Sequence, residues 1–511
     1  MDAIKEFYDV AIVGAGVGGG AMANRLAEAG ASVLVIERGN YLPREADNWS
    51  VKAVFHDKKY TAKETWHDRD GKPFNPSTYY YVGGNSKFFG AATVRFREQD
   101  FEALEHEGGV APAWPIRYRD LAPYYDVAER LMGTHGLAGA DPIEPPRSGP
   151  MPYPPIGHEP IIEAVAAKLR AKGLRPFPLP IAVDRHEGGN CIRCRTCDGF
   201  ACKLGAKNDA EMRLIGPALN SGRVDLILDT KVERLLTDGT GRRVTGIEIR
   251  SDGAALAVKA GLFISAAGAI NSTALLLRSA NDKHPRGLGN SASDQLGRNY
   301  MAHNNTAMMA INPLRRNPVV FQKSLCINDF YLANAVRPYP MGNVQGLGKL
   351  QGGMLTANQR WLPEWLMNRF AERSVDWWIM SEDLPDPENR VSLDADGTIR
   401  VSYTPNNLKS HGELVKHWSR LMRAIGYPIV ITQKMDITVA MHQCGTARFG
   451  TDPATSVLDP FCKVWDLDNL YVVDASFLPS STGFNPSLTV VAQAVRVAEH
   501  IVGSAAKSSA A

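Results

Sequence analysis

The hydrophobic pattern of the first forty residues predicts one β-α-β unit. Residues 8–13 are apolar except for Asp9, which is typical of a strand buried in a sheet. A stretch of small residues over 18–29 ends at Gly30, and we expect a helix there because glycine commonly follows a helix C-terminus. A second apolar run over 32–37 predicts the strand that completes the unit.

Apolar runs in the middle of the chain predict further strands and one more helix. Residues 224–237 and 243–250 predict two strands that flank the turn 238–241. Residues 262–266 predict a buried strand, and the pattern over 269–279 predicts the helix that follows it. These elements continue the α/β character of the N-terminal unit.

The composition and the hydrophobic pattern of the sequence differ between about residues 306 and 438 from those on either side. Trp, Tyr, Met and Pro become frequent there, and strand-like pieces such as 391–393 and 399–403 indicate a second domain built on a sheet. A strand over 470–473 and a helix over 488–502 restore the α/β pattern. We therefore expect an α/β fold in which both ends of the chain build one nucleotide-binding domain. The predicted parts of that domain are 1–105, 206–305 and 439–511, with an excursion and Cys-rich loop at 106–205 and a substrate domain at 306–438.

The composition of the chain argues against nucleic-acid binding and membrane insertion and is compatible with the α/β fold predicted above. The 511 residues suggest two or three domains, and 44% hydrophobic residues allow a substantial core. A formal net charge of +3 is too small to indicate nucleic acid or an acidic membrane surface as a partner. No apolar stretch is long enough to span a bilayer, and the N-terminus does not resemble a signal peptide. A cytoplasmic location is the resulting expectation.

A glycine-rich turn follows the first predicted strand. Gly14, Gly16 and Gly19 have the GxGxxG spacing between a strand and a helix. The first glycine permits a tight turn, the second lets the backbone approach a pyrophosphate, and the third lets helix and strand pack closely. Glu37 ends the second strand, where its carboxylate can bind ribose hydroxyls. This pattern predicts a dinucleotide site but does not distinguish FAD from NAD.

Four further segments resemble signatures of the glucose–methanol–choline (GMC) oxidoreductases. They occur in the order found in that family and cover essentially the whole chain. The segments are Gly83-Gly-Asn-Ser-Lys-Phe-Phe-Gly-Ala91, Ala266-Ala-Gly-Ala-Ile-Asn-Ser272, His442-Gln-Cys-Gly-Thr446, and Asn469-Leu-Tyr-Val-Val-Asp-Ala-Ser476 with Gly483-Phe-Asn-Pro486. The resemblance implies FAD as cofactor and a Rossmann-like FAD-binding domain with an inserted α+β substrate domain built on an antiparallel sheet.

The resemblance also implies which residues bind the cofactor beyond the glycine turn. Small residues in the first segment would let backbone N–H groups approach the flavin and its pyrophosphate. Asp474 can accept hydrogen bonds from the ribityl chain or from the backbone. The helix that follows Pro486 would direct its positive end at the flavin and favour the charge of the reduced ring. The residues implied are Gly84, Asn85, Ser86, Val232, Asp474 and Pro486. The loop over 85–89 has no histidine or cysteine, so we expect non-covalent FAD.

Two further residues carry the implied acid–base chemistry. The resemblance gives His442 the role of the base that removes the hydroxyl proton, which suits a neutral imidazole. Asn485 takes the place of its partner and can only orient the hydroxyl, because an amide does not titrate. His303, in the segment 297–303, is expected to be structural.

Four of the seven cysteines crowd into a short segment, as Cys191, Cys194, Cys197 and Cys202. Such spacing is compatible with an iron–sulfur cluster, and some sugar dehydrogenases of the family carry one. Zinc, plain thiols and a local disulfide are the alternatives. We expect no cluster and no other metal.

These observations predict an enzyme that oxidises a CH–OH group of a sugar, glycoside or polyol by hydride transfer to flavin. The expected partners are a small alcohol or sugar and either oxygen or an external electron acceptor. Two alternatives stay open: a dehydrogenase subunit that passes electrons through an iron–sulfur cluster, and a lyase of the same fold without net redox chemistry. The sequence does not determine the oligomeric state.

Overall fold

A parallel sheet forms the centre of the part of the molecule that is predicted to bind a nucleotide. The computed structural model describes residues 5–251, 254–357, 363–439 and 442–509. The five strands of this sheet, called the nucleotide sheet, all run parallel. In spatial order they are Val224–Ile227, Val33–Ile36, Tyr8–Val13, Ala260–Ser265 and Leu470–Val472. Strands from both ends of the chain therefore share one sheet, as the sequence predicts.

One predicted strand proves to be two. The segment 224–237 divides into Val224–Ile227 in the nucleotide sheet and Val232–Thr237 in a separate antiparallel meander. The backbone turns at Asp229, which has a left-handed φ of 50°. That turn redirects the chain between the two sheets, and the meander continues through Val244–Ser251 and Ala254–Val258.

The second large sheet is antiparallel throughout and is called the substrate sheet. In spatial order its strands are Ile429–Lys434, Asn304–Ile311, Ser374–Ser381, Asn343–Gly346, Leu325–Ile327 and Phe177–Pro178. Alternate residues point to opposite faces of a strand. Trp377 and Val344 accordingly pack into the core behind the sheet, whereas Trp378 and Gln345 line a cavity on its other face. The inserted antiparallel sheet predicted for the substrate domain is confirmed.

Helices pack against both sheets. Helix Val17–Glu28 packs against helix Ser487–Ser509, and helix Leu408–Ala424 covers the substrate sheet through Trp418, whose ring lies 4.9 Å from that of Trp377. The remaining α-helices in the described part of the chain are Tyr118–Met132, Pro160–Arg170, Gly216–Asn220, Ala269–Arg278, Gly352–Thr356 and Glu364–Ala371.

Short strands complete the described structure. They form a four-stranded sheet of Arg390–Leu393, Ile399–Ser402, Trp66–Asp68 and Pro73–Phe74, and the pairs Leu104–His106 with Gly109–Ala111 and Thr134–His135 with Ile181–Ala182. None of the helices in the described ranges is long and apolar enough to cross a membrane.

Candidate active site

The glycine turn joins the first strand of the nucleotide sheet to helix Val17–Glu28. Gly14 has a φ of 102°, and a Cβ there would lie 2.6 Å from the carbonyl oxygen of Ala266. A Cβ on Gly19 would lie 2.0 Å from the carbonyl oxygen of Gly14, whereas one on Gly16 would meet no described atom within 4 Å. Gly14 and Gly19 therefore permit close packing, and Gly16 leaves open space in front of the helix N-terminus.

Glu37 lies immediately after the second strand of the nucleotide sheet and lines the same cavity as the glycine turn. Its carboxylate accepts hydrogen bonds from the backbone N–H groups of Ala15 (2.9 Å) and Gly39 (3.0 Å). Burial raises the pKa of this carboxyl. The side chain is thus held beside the turn, at the end of the strand where a ribose would bind.

The loop around Gly84 lies beside the glycine turn, and the N–H of Gly83 donates to the carbonyl of Ala15 at 2.9 Å. Residues Gly84–Lys87 make a single 3₁₀ turn that leaves Gly84, Asn85 and Ser86 on the cavity surface. The Asn85 side-chain oxygen accepts from the backbone N–H of Tyr79 (3.1 Å). The Ser86 hydroxyl donates to the carbonyl of Gly83 (2.6 Å), which holds the turn in place.

Asp474 and Pro486 lie on the C-terminal side of the cavity. The Asp474 carboxylate accepts from the N–H groups of Gly268 and Ser476, both at 3.0 Å, and so fixes two loops that face the cavity. Pro486 directly precedes helix Ser487–Ser509, whose first turn also lines the cavity. The expected helix end therefore points into the predicted cofactor site.

All these walls enclose one cavity of about 530 Å³ between the nucleotide sheet and the substrate sheet. Most of the residues predicted to bind a cofactor line it, and Gly19 is the exception because it packs behind the turn. The predicted residues that line the cavity are Gly14, Gly16, Glu37, Gly84, Asn85, Ser86, Val232, Asp474 and Pro486.

His442 and Asn485 meet on this cavity wall although 43 residues separate them. The Asn485 amide nitrogen lies 3.3 Å from Nε2 of His442. His442 adopts a left-handed backbone with φ of 63°, which is uncommon for a residue other than glycine and is often found at functional sites. Burial, with His303 and Lys323 nearby, lowers the pKa of His442 well below 6.5. The imidazole is therefore neutral and able to accept a proton.

Sequence reasoning missed two residues that contact this pair. Nδ1 of His303 lies 2.7 Å from Nδ1 of His442, so this residue, expected to be structural, contacts a candidate site residue directly. Gln345, from the substrate sheet, donates from Nε2 to the side-chain oxygen of Asn485 at 3.0 Å. The position of His303 directly before a buried strand of the substrate domain was the only local signal.

An ion pair lies elsewhere on the cavity wall. Nζ of Lys323 contacts the carboxylate of Asp198, and both side chains are largely buried. Asp198 also accepts from the backbone N–H of Gly348 at 2.6 Å. Together with Gln345, this pair gives the cavity polar groups beyond those expected to hold a cofactor.

The four clustered cysteines line a separate, small and mostly apolar cavity. All are free thiols, and burial raises the pKa of Cys197 to about 12. Within the described ranges, no group of three or more His, Cys, Asp or Glu side chains has the geometry to hold a metal ion.

A glycine turn, an acidic residue after the second strand and a neutral imidazole on one cavity define a dinucleotide-dependent oxidoreductase. The sequence profiles of the GMC oxidoreductases match residues 17–305 and 385–494. The chain belongs to the GMC oxidoreductase family, and the resemblance noted in the sequence is confirmed.

Relatives match over almost the whole chain. Paromamine 6'-oxidase of Streptomyces fradiae is 31% identical, with 97% of this chain and 91% of that protein covered. The 6'''-hydroxyparomomycin C oxidase of Streptomyces lividus is 30% identical over 99% and 93% of the two chains. The fructose dehydrogenase large subunit of Gluconobacter japonicus is 27% identical over 97% of each.

Solved structures share the fold at lower identity. The pyridoxine 4-oxidase from Mesorbium loti has a TM-score of 0.65 and 19% identity over 96% of this chain and 98% of that one. A formate oxidase variant of Aspergillus oryzae RIB40 has a TM-score of 0.66 and 17% identity over 99% and 100%.

The protein is an FAD-dependent oxidoreductase of CH–OH donors. Its residues fit this cofactor. The turn at Gly16 leaves open space. Three of the described helices begin at the cavity, namely Val17–Glu28, Ala269–Arg278 and Ser487–Ser509, and helix N-termini favour phosphate and other negative charge. Glu37 stands where a ribose would bind.

Proposed function

We propose that the protein oxidises a CH–OH group of a sugar, glycoside or polyol to a carbonyl, with His442 as the base. The observation that carries the proposal is the meeting of Nε2 of His442 and the amide of Asn485, 3.3 Å apart, on the wall of the cofactor cavity. A hydroxyl oxygen within reach of both groups would donate its proton to the imidazole and accept from the amide.

Bound FAD supplies a two-electron acceptor for the hydrogen on the adjacent carbon. The O–H proton passes to Nε2 of His442, the C–H bond breaks with its electron pair leaving as hydride, and a C=O double bond forms. The depressed pKa of His442 keeps the imidazole unprotonated and ready to accept the proton. Gln345 holds the amide of Asn485 in place by donating to its oxygen.

A hydroxyl-rich substrate fits the polar part of the cavity wall. Lys323 and Asp198 supply a donor and an acceptor, and the side-chain oxygen of Gln345 has no hydrogen-bond partner among the described residues. An alkyl alcohol would leave the side-chain oxygen of Gln345 unpaired, and unpaired buried polar groups weaken binding strongly. Relatives named for aminoglycosides and fructose support the same substrate class. We also propose that the protein is cytoplasmic and that it holds FAD without a covalent bond.

Two alanine variants test the role of the base. His442→Ala should bind FAD normally but reduce it with substrate about 10²–10⁴ times more slowly, which is the usual contribution of a positioned base. Asn485→Ala is the matched variant and should lose less, because it removes orientation and keeps the proton acceptor. The measurement is anaerobic stopped-flow bleaching of the flavin. Reduction of His442→Ala at a rate near that of the wild type would contradict the assignment.

A screen of compounds tests the substrate class. Sugars, aminoglycosides and polyols should bleach the flavin without air, and simple alkyl alcohols of similar size should do so poorly. Admission of air afterwards identifies the acceptor, because rapid return of the yellow colour indicates oxygen. Bleaching by alkyl alcohols alone would contradict a hydroxyl-rich substrate.

A further inference from the structure

His303 lies behind the proposed base, on the side away from the cavity. It is 6% exposed and is not among the described residues that line the cavity. Its two ring nitrogens have different partners. Nδ1 lies 2.7 Å from Nδ1 of His442, and Nε2 lies 2.9 Å from the backbone carbonyl oxygen of Ser481. Both nitrogens of this buried ring are therefore occupied.

These partners determine where the protons lie. A carbonyl oxygen can only accept, so Nε2 of His303 carries the hydrogen and donates it to Ser481. The neutral ring then accepts at Nδ1, and Nδ1 of His442 must be the donor across the 2.7 Å contact. Nε2 of His442 is consequently unprotonated and faces the amide of Asn485, which is the form that a base requires.

The opposite end of this chain of hydrogen bonds favours the same direction. Asn485 and Gln345 are amides, and each presents a donor or an acceptor after a half turn of its terminal group. Nε2 of Gln345 also donates to the side-chain oxygen of Asn343 at 3.3 Å, and the amides of Asn343 and Asn328 continue the chain to the carboxylate of Asp141. The carbonyl of Ser481 and the carboxylate of Asp141 can only accept, so both ends of the chain leave Nε2 of His442 as an acceptor.

The charged groups around the two rings are compatible with a neutral His303. Glu382 approaches from the end of strand Ser374–Ser381, but its carboxylate accepts from the N–H of Thr482 and pairs with His106, each at 3.0 Å. Lys323 faces His442, and burial lowers the pKa of His303. Asp383, next to Glu382, accepts from Tyr403 at 2.9 Å. Among the described residues, neither carboxylate forms a hydrogen bond or an ion pair with the His303 ring.

We propose that His303 is a positioning residue that fixes the tautomer of His442, keeping Nε2 free of hydrogen and directed at the substrate hydroxyl. The proposal rests on the proposed function, because it concerns the same base. It assigns to His303 no contact with substrate or cofactor.

Two amide variants distinguish the roles of the two ring nitrogens of His303. His303→Asn can place its side-chain oxygen where Nδ1 stands and so keep an acceptor for His442. His303→Gln can keep an N–H near the position of Nε2, bonded to Ser481, but leaves His442 without its acceptor. We expect the Gln variant to reduce flavin about 10–100 times more slowly, and the Asn variant to stay within about threefold of the wild type. FAD content, the thermal midpoint and the substrate dissociation constant should be similar in both.

A spectroscopic measurement tests the proton position without turnover. ¹⁵N NMR of histidine-labelled protein, with the His442→Ala variant used to assign the signal, should show His442 protonated at Nδ1 in the wild type and in His303→Asn. In His303→Gln the signal should shift towards the form protonated at Nε2. A wild-type His442 protonated at Nε2 would overturn the proposal even if no His303 variant folds.

The outcomes also separate the two claims. Wild-type reduction rates in His303→Gln, together with slow reduction in His442→Ala, would refute the role of His303 and leave the proposed base intact. Fast reduction in His442→Ala would instead refute the proposed base itself.

Discussion

Replacing Gly19 with alanine should destabilise the nucleotide-binding part of the protein. The new Cβ would lie 2.0 Å from the carbonyl oxygen of Gly14 and 3.3 Å from Cβ of Ala266, where ordinary contacts begin at 3.4 Å. Helix Val17–Glu28 must therefore move by about 1 Å, and overpacking of this kind costs about 1–3 kcal/mol. The higher helix propensity of alanine offsets up to about 1 kcal/mol, so we expect a net loss of about 1–2 kcal/mol.

Two other glycines provide controls for the same chemical change. Gly412, in helix Leu408–Ala424, has no described atom within 4 Å of its Cβ position, and Gly412→Ala should stabilise by up to about 1 kcal/mol. Gly16→Ala should leave the apoprotein unchanged but weaken FAD binding at least tenfold, because its methyl group would enter the space left for the pyrophosphate. The assays are urea unfolding of the apoproteins and FAD titration. Equal stability of Gly19→Ala and Gly412→Ala would refute the packing argument, and wild-type FAD affinity in Gly16→Ala would refute the position of the cofactor.

Three further predictions concern acid, the cofactor linkage and the cysteines. Burial lowers the pKa of His411 to about 4, so on acidification the unfolded chain takes up a proton before the folded protein does. About 3 kcal/mol of stability should therefore be lost as pH falls from 6.5 to 4. Urea unfolding at several pH values should show that the free energy of unfolding depends less on pH in His411→Gln. Acid precipitation should release yellow FAD into the supernatant. Among the described residues that line the cavity, His442 is the one histidine and there is no cysteine. Flavin that stays with the pellet would show a covalent bond. Anaerobically purified protein should contain negligible iron and acid-labile sulfide, and stoichiometric amounts of both would show that the cysteines of the segment 191–202 bind a cluster.

Elements with a strong local pattern could be predicted from the sequence. The strand Tyr8–Val13 and the helix Ala269–Arg278 lie within one residue of their predicted bounds, because apolar runs and glycine stops are local signals. The division of the segment 224–237 could not be predicted in the same way. The turn at Asp229 has no glycine or proline, and its φ of 50° depends on the two sheets that it joins.

In the candidate site, too, the local features could be predicted from the sequence and the long-range contacts could not. The cofactor walls follow from motifs whose residues are close in sequence, such as the glycine turn. The contacts of His303 with His442 and of Gln345 with Asn485 span 139 and 140 residues and join the substrate domain to the C-terminal part of the chain. No periodicity or spacing predicts such pairs, because they exist only once the two sheets face each other across the cavity. The roles of His442 and Asn485 came from family resemblance and stay proposals.

Transfer of hydrogen from the carbon of a hydroxyl-rich substrate to the flavin is the central claim, and a deuterium experiment tests it most directly. The holoenzyme is mixed without air with a bleaching sugar or polyol, and then with the same compound carrying deuterium on its carbons. We predict that the flavin bleaches, that deuterium slows the bleaching, and that about one carbonyl product forms per flavin reduced. Product formation without bleaching, or the absence of bleaching by any sugar or polyol, would contradict the account.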